Sequence, residues 1–251
     1  MDKNYIDFHC HILPGMDFDG TDDKNESAEM CKLLKSQGVA TICATPHFYP
    51  WNDDADAFLS RREKTLALLL EDGCPVEIIA GAEVQIFPSL AEYPIDRLCI
   101  GNSNVVVLEM PDTKFEDWMI PAIENTVYKY SLVPVIAHIE RYCYTPEVLH
   151  KFARLPGVIF QITSGELSYP KSIKTLDTIC STGVPVVLGS DSHNMSSRKP
   201  NMNVIDDVLA EKAGFFNKKT VRLKKAIVRN CLYHQNTLEN LIRTPKKAKV
   251  K

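Results

Sequence analysis

The chain has 251 residues, 45% of them apolar and 24% charged, enough to bury a full core in one domain. A formal charge of −3 gives no global attraction to nucleic acid or to an anionic membrane. No run approaches the roughly 18 apolar residues of a bilayer span, and no basic-then-apolar leader precedes Tyr5.

A cytoplasmic protein without membrane insertion is therefore expected. Its eight cysteines are scattered, with no Cys-x-x-Cys pair, and read as reduced thiols. None is followed six residues later by arginine, so thiol catalysis is not expected.

In chain order, residues 6–11 read as a strand, with Ile6 and Phe8 on one face and Asp7, His9 and His11 on the other. At a rise of about 3.3 Å per residue the two histidines start about 6.6 Å apart, and Pro14-Gly15 breaks the run. A loop rich in aspartate (Asp17, Asp19, Asp22, Asp23) leads to a helix capped by Asp23 or Asn25 and running to about Ser36. The next strand, 40–45, ends on Pro46-His47. An acidic, aromatic loop and a helix over about 55–71 follow. Further strands are expected at 76–83, 105–109, 133–138, 158–162 and 186–191, with helices near 115–130, 146–154 and 172–181. The remainder reads as helical; Lys218–Arg229 is expected as a solvated basic face, and the basic tail 246–251 is expected to be disordered beyond a single domain over 1–245.

Seven short apolar runs, mostly separated by helices, predict a parallel α/β sheet, either open and doubly wound or closed into a barrel. Both arrangements put the strands' carboxyl ends on one rim, where the chemistry belongs. Six of the seven runs end on metal-competent side chains: His9/His11, His47, Glu83, Glu109, His138 and Asp191/His193. The sixth strand offers only Thr163 and Ser164. With one loop aspartate added, five histidines and four carboxylates are too many for one ion and predict two or three. The mixed imidazole and carboxylate donors suit manganese, iron or zinc. Arg141 and Arg198 lie beside two of these segments, and a guanidinium binds phosphate oxygens bidentately.

The segments His9-Cys10-His11-Ile12-Leu13-Pro14-Gly15, Ala44-Thr45-Pro46-His47, Gly81-Ala82-Glu83, Glu109, Ala137-His138-Ile139-Glu140-Arg141-Tyr142 and Ser190-Asp191-Ser192-His193-Asn194 resemble the polymerase-and-histidinol-phosphatase superfamily. Within it, the chain looks most like the bacterial manganese-dependent protein-tyrosine phosphatases of capsule and exopolysaccharide operons, over about residues 5–202. The resemblance implies a distorted (β/α)7 barrel with a multinuclear site, most simply manganese, at the C-terminal rim of the strands. It implies metal binding by His9, His11, Asp19, His47, Glu83, Glu109, His138, Asp191 and His193, and catalytic roles for Arg141, Arg198 and Asp191.

The reaction implied is hydrolysis of phosphotyrosine on a protein by a metal-bound hydroxide, the substrate being a bacterial tyrosine kinase of polysaccharide synthesis. Phe48, Tyr49, Trp51, Tyr142 and Tyr144 are candidates to wall the ring. Two departures stand out. Phe18 separates Asp17 from Asp19 where the family has adjacent aspartates; Asp19 is taken as the ligand because it precedes Gly20, with Asp17 the alternative. Thr163-Ser164-Gly165 stands where an asparagine is expected. A small-molecule phosphatase such as histidinol phosphatase, or a regulatory binding module with a decayed metal site, remain the competing readings.

Overall fold

Parallel strands need a crossover between them, and here helices supply most of those returns. The computed structural model describes residues 3–71, 73–142, 145–210 and 218–246. Among these, nine strands form two parallel sheets. The first has the order β1 (Tyr5–Cys10), β2 (Val39–Ala44), β4 (Glu77–Ala80). The second runs β3 (His47–Phe48), β5 (Glu83–Gln85), β6 (Val105–Glu109), β7 (Val133–Ile136), β8 (Ile159–Thr163), β9 (Val186–Gly189).

The expected strand 40–45 is β2 and is continued after a break by the short β3, while the expected strand 76–83 is divided into β4 and β5. The break after β2 falls at Thr45-Pro46, where proline has no N–H to give the ladder; the break after β4 falls at Gly81-Ala82. Hydrogen bonds carry the pairing across both, from Gly81 N–H to the Ala44 carbonyl (2.7 Å) and from Glu83 N–H to the Pro46 carbonyl (3.0 Å). At the other edge, Asp191 N–H donates to the His9 carbonyl (2.8 Å) and His11 N–H to the Ser192 carbonyl (2.9 Å), so the chain just beyond β9 lies against the end of β1.

Helix α1 (Lys24–Ser36) starts at Asp23, one of its two expected caps, whose carboxylate accepts from Asn25 N–H, and α2 (Ala55–Leu70) starts at Asp54, whose carboxylate accepts from Ala57 N–H. α3 (Met119–Tyr130) starts four residues later than expected, without a side-chain cap at Trp118, and ends on Ser131 in a left-handed conformation. α4 (Pro146–Ala153), α5 (Ser172–Cys180), α6 (Val204–Leu209) and α7 (Lys218–Arg243) complete the set.

Strands β1, β6 and β9 are buried along nearly their whole length, which is why they read as continuous apolar runs, whereas β4 is half-buried or exposed. Val106, Leu108, Ile136, Phe160, Ile162, Val186 and Leu188 belong to a large cluster shared with the helices. Their neighbours Val105, Val107, Val135, Ile159 and Val187 join Ile6 and Phe8 in a second cluster. Leu238 and Ile242 of α7 close this second cluster. α7 is therefore more than the solvated basic face expected for its first half; even Lys224 is buried. Lys246, assigned to the tail, is tied down by its N–H on the Asn102 carbonyl (2.8 Å), while 247–251 lie outside the described residues. Among the described residues no helix is long and apolar enough to cross a membrane.

Strict alternation fails on β1, and the site depends on that failure. The β1–β2 register is irregular between Asp7 and Cys10. Phe8 stays in the second cluster, yet His9 contacts Gln161, which shares its strand face with Ile159 of that same cluster. The irregularity thus brings His9 to the side of the sheet that Phe8 already occupies.

Candidate metal centre

Glu83, at the start of β5, is fully buried, and four imidazoles surround it. Its Oε2 lies 3.0 Å from His9 Nε2, 3.2 Å from His11 Nε2 and 3.2 Å from His47 Nδ1; its Oε1 lies 2.9 Å from His138 Nε2. Glu109, at the end of β6, adds its carboxylate 3.6 Å from both His47 and His138. Asp191, just past β9, lies 3.8 Å from His9 and 3.6 Å from His11 through Oδ1. His193 stacks on His11 with ring centroids 3.7 Å apart, and its Nε2 lies 3.4 Å from Asp19 Oδ2. All nine expected ligand residues therefore meet in one place.

The donor chemistry fits divalent cations. His9 and His11 point Nε2 atoms at each other across 3.0 Å, with Glu83 Oε2 beside both. The other nitrogen of each ring is engaged: His9 Nδ1 lies 3.0 Å from Gln161 Oε1, and His11 Nδ1 lies 3.2 Å from Asp17 Oδ2. With Nδ1 protonated in both rings, two lone pairs and a carboxylate oxygen converge, an arrangement a cation relieves. Ligands about 2.1 Å from one ion stand about 3 Å apart, which matches this spacing. Glu83 Oε2, His47 Nδ1, His193 Nε2 and Asp19 Oδ1 are buried without a hydrogen bond among the described residues. Three overlapping groups, His9/His11/Glu83, His11/His47/His193 and His47/Glu83/Glu109, each bring their donor atoms within 4.8 Å of one another.

Burial and mutual charge shift the titrations apart. Burial opposes ionisation of Glu83, yet His9, His11 and His138 outweigh it and hold the carboxyl well below its usual range. Burial and the charge of Glu83 push Glu109 up to about 8. Burial, then His11 and Arg198, push His193 down to about 2. Cys10, between His9 and His11, is fully buried, and burial, then Asp7, raise its thiol well above the ordinary value.

The loop aspartates separate by geometry. Asp17 is buried, with Oδ1 accepting from His47 N–H (2.7 Å) and Oδ2 against His11 Nδ1, the place of a carboxylate that orients a ligand. Asp19 faces the Nε2 side of His193 and is gripped by Arg198 Nη1 at 2.8 Å. Arg198 Nη2 also reaches Asp191 Oδ1 at 2.7 Å, and Arg141 contacts Asp191 Oδ2. Two guanidiniums, 46% and 32% exposed, therefore flank one carboxylate at the mouth of the cluster. The backbone is strained at two of these positions: His138 and Asp191 have φ of 30° and 53°. Positive φ at a strand end turns the side chain out of the pleat's alternation.

A family profile described as capsular polysaccharide synthesis, CpsB/CapC, matches residues 5–228. The chain belongs to the CpsB/CapC family. The tyrosine-protein phosphatase YwqE of Bacillus subtilis is 30% identical over 206 residues, covering 77% of this chain and 79% of that protein. The tyrosine-protein phosphatase CpsB of Streptococcus pneumoniae is 28% identical over 83% of this chain and 91% of that one. A crystal structure from the pair YwqE and CpsB, described as unique metal-dependent tyrosine phosphatases, superposes with a TM-score of 0.72 at 25% identity, covering 97% of this chain and 96% of that one.

This CpsB/CapC member uses residues at the site that its motifs do not flag. Gln161 of β8 accepts from His138 N–H (2.7 Å) as well as facing His9, so one amide oxygen fixes two ligand segments. The sixth strand therefore does contribute, through Gln161 rather than Thr163 or Ser164; a glutamine two residues before a strand end on the interior face was the available signal. Asp7 accepts from Ser190 N–H (2.7 Å) and ties β1 to the chain beyond β9. Glu140 is half-buried, its carboxylate accepts from Thr163 N–H (3.1 Å), and desolvation pushes it up to about 7. Asn194 closes the 193–198 loop by accepting from Ser196 and Arg198 N–H.

The expected aromatic wall is only partly there. Phe48 is buried against Phe58 in the core, and Tyr142 is buried with its hydroxyl donating to the Met110 carbonyl (3.0 Å). Both face inward because the apolar layer beneath the rim needs their area. Tyr49 stacks on His47 and Trp51 is 54% exposed beside it, while Tyr144 lies outside the described residues.

Proposed function

We propose that this chain is a metal-dependent protein-tyrosine phosphatase acting at the Glu83 cluster, and that it dephosphorylates a bacterial tyrosine kinase of polysaccharide synthesis in the cytoplasm. The observation that carries the reading is Glu83 bridging four imidazoles in a buried cluster with unsatisfied donor atoms. The tyrosine-protein phosphatases among its relatives, and the free, scattered cysteines of a chain in a reducing compartment, support it.

Seven staves are proposed for the fold: β1, β2 with β3, β4 with β5, and β6 to β9. The bonds across both strand breaks and those between His9, His11 and the 191–192 segment favour closure into a distorted (β/α)7 barrel. Every proposed ligand except Asp19 then belongs to the rim on which the strands end.

His9, His11, His47, Glu83, Glu109, His138, Asp191 and His193, with Asp19 from the loop, would hold two or three ions, manganese first, with iron and zinc suiting the same donors. When bound, such ions supply Lewis acidity and an acidified water at neutral pH. The remaining work falls to the chain. Arg141 and Arg198 present planar forks to the non-bridging phosphoryl oxygens and answer the charge that redistributes there. Asp191, between them, sets the spacing of the two forks. Asp17 and Gln161 hold the Nδ1 sides of His11 and His9, so the Nε2 lone pairs face inward.

The test is phosphate release from a phosphotyrosine peptide, a phosphoserine peptide and histidinol phosphate, each with and without added manganese. Fast release from the first alone, with manganese, is expected. Release from histidinol phosphate alone would overturn the protein substrate.

A further inference from the structure

Phe18 stands between the two loop aspartates, and 87% of it is exposed. The loop that displays it is tied at several points. Gly20 N–H donates to the Asp17 carbonyl (3.2 Å), closing a turn with Phe18 and Asp19 at its corners, and Gly15 N–H donates to the Thr21 carbonyl (2.9 Å). The Asp17 carboxylate is fixed on His47 N–H and the Asp19 carboxylate on Arg198. A single exposed apolar residue is ordinary on a protein surface. This one is held by a pinned turn whose residues on either side both reach into the metal centre. With Phe48 and Tyr142 buried, Tyr49, Trp51 and Phe18 are, among the described residues, the aromatic side chains near the centre that reach solvent, and Phe18 is the most exposed of them.

We propose that Phe18 is a specificity-determining residue, an aromatic face against which the ring of an aryl phosphate packs while its phosphoryl group lies between Arg141 and Arg198. The inference rests on the phosphatase reading. Arg198 holds Asp19 at 2.8 Å and Asp191 at 2.7 Å, so a phosphoryl group taken up by Arg198 would lie beside the Asp17–Asp19 turn, and in a phosphotyrosine the ring begins at the ester oxygen. Inorganic phosphate reaches the same arginines and has nothing to offer Phe18. An aromatic pair with partial burial is worth about a factor of ten in affinity. The contact exists before and during reaction, so it governs the Michaelis constant more than turnover.

The experiment uses the metal-loaded full chain and the variants Phe18→Ala and Phe18→Tyr, with a phosphotyrosine peptide as substrate and inorganic phosphate as competitive inhibitor. Expected for Phe18→Ala is a KM raised roughly tenfold with turnover and the phosphate inhibition constant near wild type; Phe18→Tyr retains the wild-type KM. An unchanged KM in Phe18→Ala overturns the inference. So does a KM that rises together with the phosphate inhibition constant, since that reports a distorted loop. Wild-type protein inactive on the peptide overturns the phosphatase reading itself, a result distinct from either.

Discussion

Gly189, the last residue of β9, is where the smallest change should do most damage. A Cβ built there would lie 2.6 Å from His9 Cβ, 3.0 Å from His9 N and 2.9 Å from Gln161 Nε2. Ordinary contact begins at 3.4 Å, so Gly189→Ala falls about 0.8 Å short at His9. The obstacle is backbone-fixed, and His9 is held in place by Asp191 N–H on its carbonyl. Either β1 parts from the segment after β9, or His9 and Gln161 move together.

Overpacking of this kind costs about 1–3 kcal/mol, and at about 2–4 °C per kcal/mol for a chain of this size the melting temperature should fall by about 2–12 °C. The larger effect falls on His9 Nε2, 3.0 Å from both Glu83 and His11, because a displacement near 1 Å in a catalytic constellation costs about 100-fold in rate. Thermal melting, elemental analysis and peptide dephosphorylation on one preparation give the three readouts. Wild-type melting temperature, metal content and turnover in Gly189→Ala would refute the close packing from which the argument starts.

Gln161→Leu keeps the side chain's bulk and removes the oxygen shared by His9 and His138; metal affinity, read by titration calorimetry, should fall by about 10- to 100-fold. Asp19→Ala should remove one ion from the stoichiometry at saturating metal, whereas Asp17→Ala should weaken binding without changing the saturating count, and the reverse pattern would exchange their roles. Arg141→Ala and Arg198→Ala should each lower turnover by roughly 10- to 1000-fold with metal content intact, and lysine should restore only part of it. Either arginine variant with wild-type kinetics would leave that residue a surface partner of Asp191.

Much of the site was legible because its parts sit at strand ends, and strand ends are what apolar periodicity marks best. His47, Glu83, Glu109 and His138 each close an apolar run, so a rim of candidate ligands can be read without knowing how the sheet pairs. The divided strands were harder to read: Pro46 looks like a terminator, and only the partner strand shows that the pairing resumes at His47. The position of His9 was reached for the wrong reason, since alternation places it opposite Phe8 and the register irregularity brings it round. Gln161 offered only its place near a strand end and Asp7 only its place on β1, because their roles are hydrogen bonds to chain segments 23 and 183 residues away. Phe48 and Tyr142 misled because a rim aromatic and a core aromatic look alike in sequence. Only burial distinguishes them.

The central claim is that this cluster works through metal on phosphotyrosine, with no side-chain nucleophile. The direct measurement is phosphate release from a phosphotyrosine peptide by exhaustively chelated protein, verified metal-free by elemental analysis, before and after stepwise manganese addition, beside Glu83→Gln treated identically. No release is expected without metal, with recovery as two or three equivalents bind and little recovery in Glu83→Gln. Full activity in the metal-free wild-type protein, or wild-type recovery in Glu83→Gln, would contradict that claim.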